Sequence, residues 1–157
     1  MRFHPASAVA CSLVLTVAAC TGGIDGDDAN ADASTAAANV DITGPDVLPH
    51  VQRFANEVCA ATGACTIGTR EGHPPTADRA IDILVSKAFG QTPTDNNALG
   101  DRVAKLALDH QAANGIWYVI WRQRYNDGSG WDPMEDRGSI TANHYDHVHV
   151  SFNETAP

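Results

Sequence analysis

Three histidines fall close together near the C-terminus, in the run His144-Tyr145-Asp146-His147-Val148-His149-Val150-Ser151-Phe152. In an extended strand successive side chains alternate between faces, so His147, His149 and Ser151 share one face and Val148, Val150 and Phe152 the other. One face can then sit on a core while the other presents two imidazoles. Neutral imidazole is the commonest nitrogen ligand of zinc, at roughly 2.0–2.1 Å. A His-x-His pair on a strand can ligate a metal with one ring and keep the second beside it as a base. The alternative is a solvent-facing strand that happens to carry histidine.

Two further residues have the chemistry to complete such a site. His73 stands in a loop, Glu71-Gly72-His73-Pro74-Pro75, punctuated by glycine and proline. Asp82 interrupts the apolar run Arg79-Ala80-Ile81-Asp82-Ile83-Leu84-Val85. A carboxylate in so apolar a strand needs a partner, because burying an unpaired charge is costly. A metal is one such partner; an ion pair to Arg79 or Arg70 is another. A tetrahedral catalytic zinc takes three protein ligands and leaves one position open for water. His73, Asp82 and His149 supply the three. His147, two residues from His149 on the same face, is then placed to accept a proton from that water. His144 would stand at the start of the strand, to stabilise the transition state or orient another group.

These residues need elements to carry them. Val47, Val51, Phe54 and Val58 recur at helical spacing, with Pro49 in the first turn and Gly63 at the end. Leu99, Val103, Leu106 and His110 mark a second amphipathic helix, stopped by Asn114-Gly115. Strands are expected at Ala64 to Arg70, at Arg79 to Val85, at Ile116 to Arg124 (buried on both faces) and at the histidine run. The segment Trp131 to Gly138 has no period and is long for a connection; it forms either a cleft rim or a cap on the sheet. The expected fold is α+β: a small, mainly antiparallel sheet, with two helices on one face and the zinc cleft on the other.

Organisation around this domain follows from composition. Residues 1–19 read as a lipoprotein signal peptide, with Arg2 ahead of an apolar run too short to span a bilayer. Val17-Ala18-Ala19-Cys20 resembles a lipobox, which makes Cys20 the expected lipidation site; an ordinary signal peptide cut near Ala19 is the other reading. Residues 20–44 read as an acidic low-complexity tether, too polar to offset its ordering entropy. The domain is expected over 45–157. Setting aside Cys11 and Cys20 leaves Cys59 and Cys65, and in an exported chain that pair suggests a disulfide, against two buried thiols. The formal net charge of −9 argues against a phosphate-backbone partner such as nucleic acid.

The pattern resembles the zinc peptidase clan that includes D-alanyl-D-alanine carboxypeptidases, the penicillin-insensitive murein endopeptidase and hedgehog domains. That clan has a histidine, then Ala-x-Asp, then a His-x-His strand; here these are His73, Ala80-Ile81-Asp82 and His147-Val148-His149. The stretch Trp117 to Phe152 looks like a domain of secreted actinobacterial members. The resemblance implies Zn2+ on His73, Asp82 and His149, with His147 as base and His144 in support. Arg70, Asp78 and Asp146 are expected around the ligands or against substrate. Eight residues separate His73 from Asp82, more than is usual in the clan, so either the loop Pro74 to Asp78 bulges or Asp78 takes a role of its own. The implied function is hydrolysis of an amide bond in peptidoglycan stem peptides or cross-links by a monomer anchored to the bacterial cell envelope through lipid alone. The other implied function is that of a non-catalytic zinc-containing module that binds peptidoglycan or protein.

Overall fold

The computed structural model describes residues 38–157. The signal peptide, Cys20 and the tether up to residue 37 lie outside the described residues. The elements in order are β1 (Ile42–Thr43), α1 (Pro49–Thr62), β2 (Ile67–Gly68), a single 3-10 turn at Ala77–Arg79, β3 (Ala80–Leu84), α2 (Ala98–Asp109), α3 (Gln111–Asn114), β4 (Ile116–Ile120), β5 (Arg124–Asn126), β6 (Asp132–Pro133) and β7 (His147–Phe152). They build one sheet in the order β1-β2-β3-β7-β4-β5-β6. Every pairing is antiparallel except β1 with β2. The class is α+β as expected, but the sheet has seven strands and is not small. The three additional strands, β1, β5 and β6, are two or three residues long, too short to carry a period in sequence, and the strand expected at Ala64 to Arg70 is reduced to Ile67–Gly68.

The last strand in sequence is central in space. β7 lies between β3 and β4, and all six of its residues are buried. Val148, Val150 and Phe152 pack with Ile81, Ile83 and Val119 against Val51, Phe54 and Val58 of α1 and Val103 and Ala107 of α2. Each such aliphatic or aromatic side chain gains roughly 1.5–3 kcal/mol on leaving water. A slip of one residue would turn these groups outward and drive the imidazoles into hydrocarbon. The apolar face of β7 therefore fixes its polar face. His147, His149 and Ser151 end up on the side away from the helices.

Helix α1 begins with Pro49 in its first turn and ends at Gly63, whose left-handed backbone sends its N–H to the Cys59 carbonyl. The expected disulfide is present: Cys59 and Cys65, 4.5 Å apart at Cα, join the last turn of α1 to the approach to β2. The expected second helix is broken at His110 into α2 and α3. The packed chain also begins upstream of Pro45. The Val40 N–H donates to Asn56 Oδ1 (2.8 Å) and its carbonyl accepts from Gln52 (2.9 Å). Ile42 enters the sheet beside Ile67. Composition hid this because only the end of the acidic stretch is apolar.

One expected strand is two. Ile116 to Arg124 reverses at Arg122 and Gln123, both with positive φ (53° and 58°), while Trp121 and Arg124 exchange main-chain hydrogen bonds. That is the two-residue hairpin loop favoured by strand twist, made without the glycine or asparagine that would announce it. Nor is β4 buried on both faces. Trp117 falls in an irregularity of the β4–β7 pairing and is 47% exposed.

Trp121 sets a tight constraint on α2. Its indole is buried, its Nε1–H donates to Asp101 Oδ1 (2.8 Å), and a Cβ on Gly100 would come within 2.1 Å of its ring. Alanine is favoured over glycine in a helix by about 1 kcal/mol, but overpacking typically costs about 1–3 kcal/mol or more. Gly100→Ala is thus expected to lower the urea midpoint of unfolding. An unchanged midpoint would mean that the indole has room to move.

Candidate metal centre

The sheet register brings the site together. Asp82 of β3 pairs with His149 of β7, Leu84 with His147, and Ala80 with Ser151. Asp82 Oδ1 lies 3.0 Å from His149 Nδ1 and 3.1 Å from His73 Nε2. The ligand atoms of His73, Asp82 and His149 all lie within 4.8 Å of one another. A tetrahedral zinc with ligands at ~2.0–2.1 Å holds its ligand atoms roughly 3.3 Å apart; the two Asp82 contacts are near that spacing, and the two imidazole nitrogens lie within 4.8 Å of each other. His147 Nε2 is 3.4 Å from the same carboxylate oxygen, yet stands outside the mutual cluster of three.

The outer hydrogen bonds decide which ring nitrogens carry lone pairs. Thr69 Oγ1 donates its single proton to the Ala77 carbonyl (2.6 Å), so it can only accept from His73 Nδ1–H (3.2 Å). Ser151 Oγ donates to the Pro74 carbonyl (3.1 Å) and can only accept from His149 Nε2–H (2.8 Å). In the neutral rings, His73 Nε2 and His149 Nδ1 therefore turn lone pairs toward Asp82. Burial above all lowers the pKa of His149, which favours its neutral form. Burial works against ionisation of Asp82, but hydrogen bonds from His149 and His73, donated when those rings carry a second proton, outweigh it and hold the carboxyl well below its usual range. Lone pairs facing a carboxylate need a cation between them. A divalent ion fits this donor set.

His147 is held by a different partner. Its Nδ1–H donates to Asp146 Oδ1 (2.5 Å). Asp146 is fully buried, and its Oδ2 accepts from the Gly90 N–H (2.6 Å) and Thr141 Oγ1 (2.5 Å). Although burial opposes it, these bonds keep the Asp146 carboxyl below its ordinary pKa. His147 Nε2 is thus left as the basic nitrogen, facing the cluster. His144, with φ 55°, packs its ring 4.7 Å from His147 and 5.6 Å from His149. Burial, with help from the neighbouring imidazoles, pushes its pKa down to about 3. It is a neutral ring, and its Nδ1 is buried without a hydrogen-bond partner among the described residues.

Of the residues singled out from sequence, His73, Asp82, His144, Asp146, His147 and His149 come together. Asp78 does not: it sits in the 3-10 turn, where its carbonyl accepts the Leu48 N–H (3.0 Å). The long His73–Asp82 spacing is taken up by that turn, which also presents the Ala77 carbonyl to Thr69. Neither Arg70 nor Arg79 pairs with Asp82. Arg70 is exposed on the cleft wall, and Arg79 Nε donates to Thr76 Oγ1. The hydroxyls of Thr69 and Thr141 were not singled out; a lone threonine in a loop gives no signal until its neighbours in space are known.

The cluster opens into a cleft of about 1170 Å³, with Phe89, Trp117 and Met134 among its walls. Met134, Arg137 and Ser139 make the segment before β7 a cleft rim, one of its two expected roles.

Comparison with known proteins adds the family. The family described as VldE, C-terminal domain, matches residues 43–145. This chain belongs to that family. The span shared with the VldE C-terminal domain holds His73, Asp82 and His144 and stops before His147 and His149. A relative in Arthroderma benhamiae, named an uncharacterized secreted protein, is 39% identical over 59 residues, which is 32% of this chain and 24% of the relative. The match thus spans about a quarter of that relative's length. No solved structure matches this chain.

For this member of the VldE C-terminal domain family, the two hydroxyls behind the ligands give a direct prediction. Removing an outer partner of a ligand histidine typically weakens metal affinity roughly 10–100-fold. Ser151→Ala and Thr69→Ala are each expected to do so, read by zinc competition with a chromogenic chelator. Unchanged affinity in both would mean that the hydroxyls do not set the ring tautomers.

Proposed function

We propose that this chain is an exported zinc metallopeptidase that hydrolyses an amide bond in peptidoglycan peptides. One observation carries the reading: two imidazole lone pairs and a carboxylate converge, with a carboxylate-held histidine beside them. The resemblance of His73, Ala80-Ile81-Asp82 and His147-Val148-His149 to the murein peptidase clan supports the substrate class. Export is supported by the leader-like residues 1–19, by the Cys59–Cys65 disulfide, and by the secreted relative. Anchorage through Cys20 to the cell envelope is part of the same proposal.

In this reading His73 Nε2, Asp82 and His149 Nδ1 hold the ion. When bound, zinc supplies a Lewis acid that acidifies a water and polarises a carbonyl. The chain's residues do the rest. His147 Nε2 takes the proton of the attacking water and returns it to the leaving amine. Asp146 fixes the ring's tautomer and steadies the imidazolium that forms. His144, neutral at working pH, donates a hydrogen bond to substrate from Nε2. The base with its buried carboxylate favours catalysis over a purely zinc-containing binding module, which would not need one. Incubation of the purified chain with muropeptides should yield amide cleavage that a chelator abolishes and zinc restores. No chelator-sensitive product across several peptidoglycan chemotypes would refute the peptidase reading.

A further inference from the structure

We propose that Arg137 is a carboxylate-recognition residue, so that the cleft selects ligands bearing a free carboxylate. The chain as a whole is acidic, with a formal net charge of −9. The cleft is the exception. Among the described residues that line it, Asp82 is the one carboxylate, and it is already engaged by imidazoles. The other charged groups there, Arg70 and Arg137, are positive. None of the ion pairs among the described residues involves either guanidinium. An acidic protein has carboxylates to spare, yet among the described residues these two cations line the cleft without a carboxylate partner.

Arg137 is the better positioned of the two. Its main-chain N–H donates to Asn143 Oδ1 (2.7 Å), and Asn143 Nδ2 donates to Asp136 Oδ1 (2.7 Å). The same Asp136 oxygen accepts the Gly138 N–H (2.8 Å). The turn that carries the guanidinium is therefore clamped onto the residue next to His144. A guanidinium is a planar fork that matches a carboxylate with two parallel hydrogen bonds, which a point charge such as lysine does not reproduce. A cation at the metal centre would add to the same field. The inference rests on the peptidase reading only for its probe, a peptide of the wall type.

The test compares N-acetyl-D-alanyl-D-alanine with its C-terminal amide, by calorimetric titration into the full chain. Wild type, Arg137→Gln and Arg137→Lys are each measured zinc-loaded and metal-free, with inorganic phosphate as a competitor. Wild type should prefer the acid by about tenfold or more, in line with a charge-assisted hydrogen bond. Arg137→Gln should reduce that preference to near parity with zinc content unchanged, and Arg137→Lys should keep part of it. A preference that survives in Arg137→Gln overturns the assignment, including one that disappears only when zinc is removed. So does phosphate competing tenfold more strongly than the acid, which would mark a phosphate site. Acid preference without hydrolysis would leave this inference standing and remove the peptidase. Hydrolysis without acid preference would do the reverse.

Discussion

His147→Ala is expected to slow hydrolysis roughly 10²–10⁴-fold, the range that a positioned general base contributes, while the chain still binds zinc. The two halves of that result belong together. His147 Nε2 approaches Asp82 but lies outside the trio of mutually close ligand atoms, so its loss removes no ligand. What is lost is the basic nitrogen that Asp146 holds toward the cluster. Truncation also leaves Asp146 Oδ1 buried without its partner, although Gly90 and Thr141 still satisfy Oδ2. The fold should persist, because the helix-facing side of β7 is untouched. His147→Gln provides the control for packing, since it fills much of the space without a basic nitrogen. Equal rates in wild type and both variants would take the base role away from His147. Loss of zinc in His147→Ala would make it a ligand instead.

Asp82→Ala is expected to abolish zinc binding and hydrolysis together. Asp82 is the hub: one oxygen faces His73, His149 and His147 at 3.1, 3.0 and 3.4 Å. Without it the rings have nothing anionic between them, and a cation must be held by imidazoles alone. The loss of affinity should exceed the roughly 10–100-fold that an outer partner costs, and Asp82→Asn, which keeps the shape and loses the charge, should behave in the same way. Far-UV circular dichroism should stay native in both, since Ile81 and Ile83, not Asp82, face the core. Zinc affinity within a few fold of wild type in Asp82→Asn would show that the charge is dispensable.

Much of this site was legible because strand alternation is strict. Val148, Val150 and Phe152 fix one face of β7, so His147 and His149 had to share the other. The same logic placed Asp82 opposite Ile81 and Ile83. Strand alternation does not give the pairing of β3 with β7, which brings Asp82 beside His149. The hydroxyls of Thr69 and Thr141 give no signal because their partners His73, Ala77 and Asp146, though near in sequence, are reached across irregular backbone that carries no period. Asp78 lies away from the ligands, in the 3-10 turn, and a long loop does not reveal in sequence which of its residues turns inward. The reversal at Arg122 and Gln123 has no local residue preference to announce it; main-chain bonds to Asn143 and His144, ahead of β7, and to Met134, after β6, hold the backbone there. The two-residue strands at the sheet edges are defined by hydrogen bonds to neighbours and not by any pattern of their own.

The most direct test is metal analysis of the purified full chain, reconstituted with zinc and then dialysed, beside His73→Ala, Asp82→Ala and His149→Ala. The geometry predicts about one zinc ion per wild-type chain and essentially none in any of the three variants. A wild-type chain that retains no zinc, or variants that retain it undiminished, would contradict the claim that these three side chains form a metal centre.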